Sequence, residues 1–77
     1  QAGWLDLWRL HQGYERYEKG DYNASLAIFA SIRPPLLEST YALANTYYRL
    51  GAYKRAGRLY LRCKSTDPAI KRRIWYN

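Results

Sequence analysis

Gly20-Asp21-Tyr22-Asn23-Ala24-Ser25-Leu26-Ala27-Ile28-Phe29 returns as Gly51-Ala52-Tyr53-Lys54-Arg55-Ala56-Gly57-Arg58-Leu59-Tyr60. Glycine pairs with glycine, Tyr22 with Tyr53, Ser25 with Ala56 and Phe29 with Tyr60, each at an offset of 31 residues. Self-similarity at this period marks a chain built from small supersecondary units that bury their apolar faces against one another. Stacks of that kind make binding surfaces more often than reaction centres.

The rest of the chain is punctuated to match. Trp4, Leu5, Trp8, Leu10, Tyr14 and Tyr17 fall at helical intervals over residues 4–19. Gly20 suits a helix stop, and Asp21 suits the next N-cap. A second helix is expected from about Tyr22 to Ile32, with Tyr22, Leu26, Phe29 and Ile32 as its stripe. Pro34-Pro35 ends it, because proline lacks an N–H and restricts the residue before it. A third helix, about Leu36 to Leu50, places Leu36, Leu37, Thr40, Leu43, Ala44, Tyr47 and Leu50 on one side. Gly51 breaks it. The fourth, about Tyr53 to Lys64, turns Tyr53, Ala56, Leu59, Tyr60 and Cys63 inward. Thr66-Asp67-Pro68 reads as the start of a fifth helix running to Asn77, since proline is favoured in a first helical turn. No stretch alternates with period two, so no strand is expected.

Composition sets the limits. Seventy-seven residues make one domain at most, and a domain this small buries only ~60% of the surface of its unfolded chain. With 17% aromatic residues, nine of them tyrosine, the chain is too rich in packing groups to be disordered. It starts at Gln1 and contains no methionine, so it reads as a piece of a longer protein. The single cysteine excludes an internal disulfide and a cysteine-based zinc site. Charge is unevenly spread: residues 1–40 carry four cations and five acids, whereas residues 41–77 carry nine cations and Asp67 alone. That asymmetry points to an acidic partner or an acidic neighbour outside the chain.

The spacing Thr40-x-x-Leu43-Ala44-x-x-Tyr47, then Gly51, Tyr53, Ala56-x-x-x-Tyr60 and Pro68, resembles the tetratricopeptide repeat, a helix–turn–helix of about 34 residues. The match covers residues 37–68, and several of its spacings agree together. Small Ala44 and Ala56 would let the two helices approach, Tyr47, Tyr53 and Tyr60 would fill the space to the next unit, and Gly51 would permit the turn. Residues 6–33 form a degenerate first copy that keeps Gly13, Gly20, Tyr22 and Phe29 but has Arg9, Gln12 and Arg16 at places the pattern makes apolar. Trp75-Tyr76-Asn77 looks like the opening of a third copy, over about residues 69–77. The resemblance implies an all-α, right-handed helical-hairpin solenoid of about five helices, two repeats plus the first helix of a third. The short first copy and the Trp-Tyr-Asn opening also resemble repeat regions of bacterial Bat-type proteins. Those accompany von Willebrand A domains and would place the chain in the cytoplasm or on the periplasmic side of the inner membrane.

The family lines its concave groove with the first helix of each repeat. Carried over by spacing, that implies Tyr14, Tyr17, Tyr41, Asn45, Tyr48 and Arg49 as partner-binding residues. Tyrosine and arginine suit the role as anchors with directional hydrogen bonds. Tyr17 and Tyr48 suit packing against the next helix equally well. The family's carboxylate clamp needs Lys, Asn and Arg on successive first helices. Only Asn45 fits, because Leu7, Leu10, His11 and Tyr14 hold the first copy's places, so chaperone C-terminal tails are not the expected ligand.

A second feature is the basic stripe of Lys54, Arg55, Arg58 and Arg62, extended by Lys64, Lys71, Arg72 and Arg73. It reads either as a solvated face or as a contact for an acidic partner, anionic lipid or nucleic acid. The aromatics interleaved with it are expected on the buried face, which counts against base stacking. No catalytic set, phosphate-binding loop, cofactor or metal set is evident. His11 stands alone, Glu15 and Glu18 read as solvated charge beside Arg16 and Lys19, and Cys63 reads as a packed thiol. The expected function is a protein–protein interaction scaffold that takes a peptide or partner in its groove. The competing reading is an electrostatic docking module for nucleic acid or anionic membrane. An unfinished stack also leaves an apolar face near Tyr53, Tyr60, Trp75 and Tyr76, so self-association through the last helix is a third expectation.

Overall fold

The computed structural model describes residues 3–66. It is all-helical over that range, with four helices and no strand among the described residues: α1 Trp4–Glu18, α2 Tyr22–Ala30, α3 Leu37–Arg49 and α4 Tyr53–Thr66. Four of the five expected helices are therefore present, with ends within two residues of those read from the sequence; the fifth lies outside the described residues. Each helix packs on the next in the chain, α1 on α2, α2 on α3 and α3 on α4.

The turns explain the stops. Gly20 and Gly51 adopt φ +80° and +82°, the left-handed region that favours glycine. Gly20 N–H donates to Tyr17 O (3.0 Å) and Asp21 N–H to Arg16 O (2.9 Å). Gly51 N–H donates to Tyr48 O (3.0 Å) and Ala52 N–H to Tyr47 O (2.9 Å). This is the paired-bond glycine cap that satisfies the last helical carbonyls, formed twice at the same offset. After the first cap, the Asp21 carboxylate accepts the Ala24 N–H (3.4 Å) and opens α2, with Arg16 3.7 Å away. α3 opens where Ser39 Oγ accepts the Leu36 N–H (2.9 Å).

The core combines a few large side chains with small ones. Leu10, Phe29, Ile32 and Ala42 form one buried cluster, flanked by Leu36 and Leu43. Gly13 lies in the α1–α2 contact, where an added Cβ would stand 2.4 Å from Phe29 Cε1. The Ser25 hydroxyl donates to Gly13 O there (2.9 Å). The positions one offset on, Ala44 and Ala56, are also fully buried. Cys63 is buried, as its place on the inward stripe of α4 implied.

Several expected inward residues lie elsewhere. Tyr53 is 63% exposed, and Leu37 and Leu50 are exposed too. Ser39, Ala42 and Thr46 take up the buried side of α3 instead. All three are small side chains, which a close helix contact accommodates in less room than leucine needs. The polar groups among them are satisfied locally, Thr46 Oγ1 by Ala42 O (2.6 Å) and Ser39 Oγ by Leu36 O (3.0 Å). In α1 the equivalent places hold Trp8, His11 and Glu15, all exposed. Trp4 is 78% exposed and Trp8 52%. The α1 face that corresponds to the buried face of α3 is thus open among the described residues.

Candidate functional site

The repeat places corresponding side chains of α1 and α3 at corresponding points. Tyr14 on α1 meets Phe29 on α2 edge to face, with ring centroids 5.1 Å apart. One offset on, Asn45 on α3 meets Tyr60 on α4, whose hydroxyl donates to Asn45 Oδ1. Tyr17 meets Tyr22 edge to face at 5.2 Å and 72°, and Tyr48 meets Tyr53 at 5.1 Å and 65°. Each first helix therefore carries two contacts to the second helix of its own hairpin at corresponding positions, one of them an edge-to-face tyrosine pair in both hairpins. Edge-to-face geometry of this kind is worth about 0.5–1.5 kcal/mol beyond burial. Tyr14, Asn45 and Tyr48 remain exposed while being fixed from behind.

A bridge joins the two hairpins. Arg49 Nε donates to Tyr17 Oη (3.1 Å), and its guanidinium lies 5.8 Å from the Tyr17 ring centroid. The hydrogen bond to Tyr17 holds the Arg49 pKa above its ordinary value. Burial, followed by the neighbouring Tyr17 and Tyr48 phenols and Cys63, raises the Tyr60 phenol. Burial, then the Glu38 and Tyr17 charges, raises the Tyr14 phenol. Tyr14, Tyr17, Tyr48 and Arg49, together with Tyr60, thus belong to one electrostatic neighbourhood. Tyr41, half-buried on α3, has no hydrogen bond or ring contact among the described residues.

Tyr17 and Tyr48, equally suited by sequence to packing and to recognition, both make packing contacts, Tyr17 with Tyr22 and Tyr48 with Tyr53. Each stacks on its own hairpin, yet Tyr48 keeps 57% of its surface exposed. Tyr22, Tyr53 and Tyr60, the residues that brace the row, are expected from the sequence on inward stripes, with Tyr53 and Tyr60 also at the apolar face of an unfinished stack. Their stacking on α1 and α3 was recoverable from the offset of 31, since Tyr17–Tyr22 and Tyr48–Tyr53 repeat together.

The basic residues Lys54, Arg55, Arg58 and Arg62 are all exposed on α4. Arg55 lies over the Tyr47 ring at 5.2 Å and donates from Nη1 to its hydroxyl at 3.5 Å. The expectation that aromatics near this stripe are buried fails for Tyr53, which is exposed beside Tyr48. Among the described residues, no group of three or more His, Cys, Asp or Glu could hold a metal ion, and no helix is long and apolar enough to cross a membrane. His11 is exposed on α1. No family model, no curated protein and no solved structure matches the chain.

Proposed function

We propose that the chain is a tetratricopeptide-like, right-handed helical-hairpin solenoid that binds a peptide or segment of a partner protein along α1 and α3. One observation carries the reading. The contacts Tyr14–Phe29 and Tyr17–Tyr22 recur as Asn45–Tyr60 and Tyr48–Tyr53, so each hairpin presents the same two braced positions. Side chains ordered before binding lose less entropy on binding, and that ordering turns contact area into affinity. The Arg49–Tyr17 bridge extends the row across the hairpin boundary, with Tyr41 as a further aromatic on α3.

The test uses peptides selected from a random displayed library against the 77-residue chain. Tyr41→Ala combined with Asn45→Ala should abolish their capture while the far-ultraviolet helical signal stays unchanged. Capture that persists undiminished in the double variant would remove this surface from the account.

A further inference from the structure

Arg55, Arg58 and Arg62 follow at three- and four-residue steps, so α4 presents them on one face. They stand around a pocket of about 260 Å³ whose apolar floor comes from three helices: Ala30 of α2, Leu43 and Tyr47 of α3, and Leu59 of α4. A second pocket of about 160 Å³ shares Ala30, Leu43 and Arg62 and adds Arg33. The two form one cleft with an apolar floor and arginines around it. Among the described residues, no Asp or Glu lines either part. Arg33, Arg55 and Arg58 make no ion pair among the described residues. The cleft shares no residue with the α1/α3 row.

We propose that this cleft is a second docking site, and that its occupant is an acidic segment of a partner protein with apolar side chains among its carboxylates. Charge complementarity selects the acid. A guanidinium binds a carboxylate through two parallel N–H donors, and stacking of Arg55 on Tyr47 holds one such fork in place before binding. The floor selects the apolar side chains, because leucine-sized groups seated on Leu43 and Leu59 leave water as the carboxylates pair. The same two features argue against other occupants. Residues 67–77 of this chain carry Lys71, Arg72 and Arg73 against Asp67 alone, and a second copy of a chain with net charge +7 would bring like charge to the arginines. Nucleic acid would satisfy the arginines but leave the floor unused, and its bases would find the Tyr47 ring already faced by Arg55.

Fluorescence anisotropy on the 77-residue chain tests this with four labelled probes. They are a short peptide of Leu-Glu-Glu-Leu repeats, its Ser-Glu-Glu-Ser and Leu-Lys-Lys-Leu analogues, and oligothymidylate of matched length. The Leu-Glu peptide should bind at least about tenfold more tightly than the Ser-Glu peptide, as burial of one leucine requires, and the lysine analogue should not bind. Arg58→Glu, at an exposed helical position, should weaken the Leu-Glu peptide by about tenfold or more. Ala30→Gln, which fills the cleft without changing charge, should weaken it similarly, with the helical signal intact in both variants. Equal binding of the two glutamate peptides would overturn the proposal. So would oligothymidylate binding more tightly than the Leu-Glu peptide and indifferent to Ala30→Gln, which would leave only a polyanion surface.

Discussion

Gly13 and Gly57 are both glycines inside helices, and alanine should act on them in opposite directions. Replacing an interior helical glycine by alanine is worth about 1 kcal/mol in propensity. At Gly57 no described residue lies within 4 Å of the added methyl, so Gly57→Ala should keep that gain. At Gly13 the new carbon would stand 2.4, 2.7 and 2.8 Å from Cε1, Cδ1 and Cζ of Phe29. Ordinary carbon contacts are ~3.5–4.0 Å, so the ring must retreat by about 1 Å. Phe29 is 1% exposed and already stacked on Tyr14, which leaves it little room to move. Overpacking of this kind costs about 1–3 kcal/mol. Propensity cancels when the two variants are compared, so Gly13→Ala should lie about 1–3 kcal/mol below Gly57→Ala. At roughly 4–8 °C per kcal/mol for a chain of this size, Gly57→Ala should raise Tm by roughly 4–8 °C, and Gly13→Ala should fall at least several degrees below it. Thermal and urea unfolding followed by circular dichroism read both values. Phe29→Leu made in the Gly13→Ala background should remove most of the penalty in a double-mutant cycle. Equal stabilisation by the two alanines would refute the close α1–α2 approach and, with it, the packing of the first hairpin.

Other outcomes follow from the same geometry. Gly51→Ala, at φ +82° with open space around it, should cost about 1–2 kcal/mol through the backbone alone, and Gly51→Asn less; equal urea midpoints would refute the left-handed cap. Ser25→Ala loses the hydroxyl bond to Gly13 O and should cost about 0.5–1.5 kcal/mol, whereas Ser25→Leu should prevent close packing and cost more. The Tyr14 and Tyr60 phenols are raised above their ordinary value of 10.0 in the folded state. Above that value the native chain holds more protons than the unfolded one, so stability should be steady below it and fall as pH rises through the higher folded values. Tyr14→Phe should flatten part of that alkaline loss, and urea midpoints at about pH 8 and about pH 10.5 would show whether it does.

Helix boundaries were legible because their signals are local. Gly20, Gly51 and Pro34-Pro35 act through backbone geometry that no tertiary contact needs to supply. The 31-residue offset was equally plain, and it carried the two braced rungs with it. What stayed hidden depends on how closely hairpins meet. A search for large apolar stripes passes over Ser39, Ala42 and Thr46, because helices in tight contact bury small residues and satisfy hydroxyls within the helix. The same search turns Tyr53 inward, since nothing local distinguishes a tyrosine that fills a core from one that stacks on Tyr48 at the surface. The arginine cleft was half legible. Its cations are periodic on one helix, but Ala30, Leu43 and Leu59 converge only once α2, α3 and α4 are packed.

Amide chemical-shift mapping of a library-selected peptide on the isotopically labelled chain decides whether α1 and α3 form the binding surface. The largest perturbations should fall on α1 and α3, at and beside Tyr14, Tyr17, Tyr41, Asn45, Tyr48 and Arg49, and Tyr41→Ala with Asn45→Ala should erase them. Perturbations confined to residues outside these two helices, or unchanged by the double substitution, would contradict that assignment.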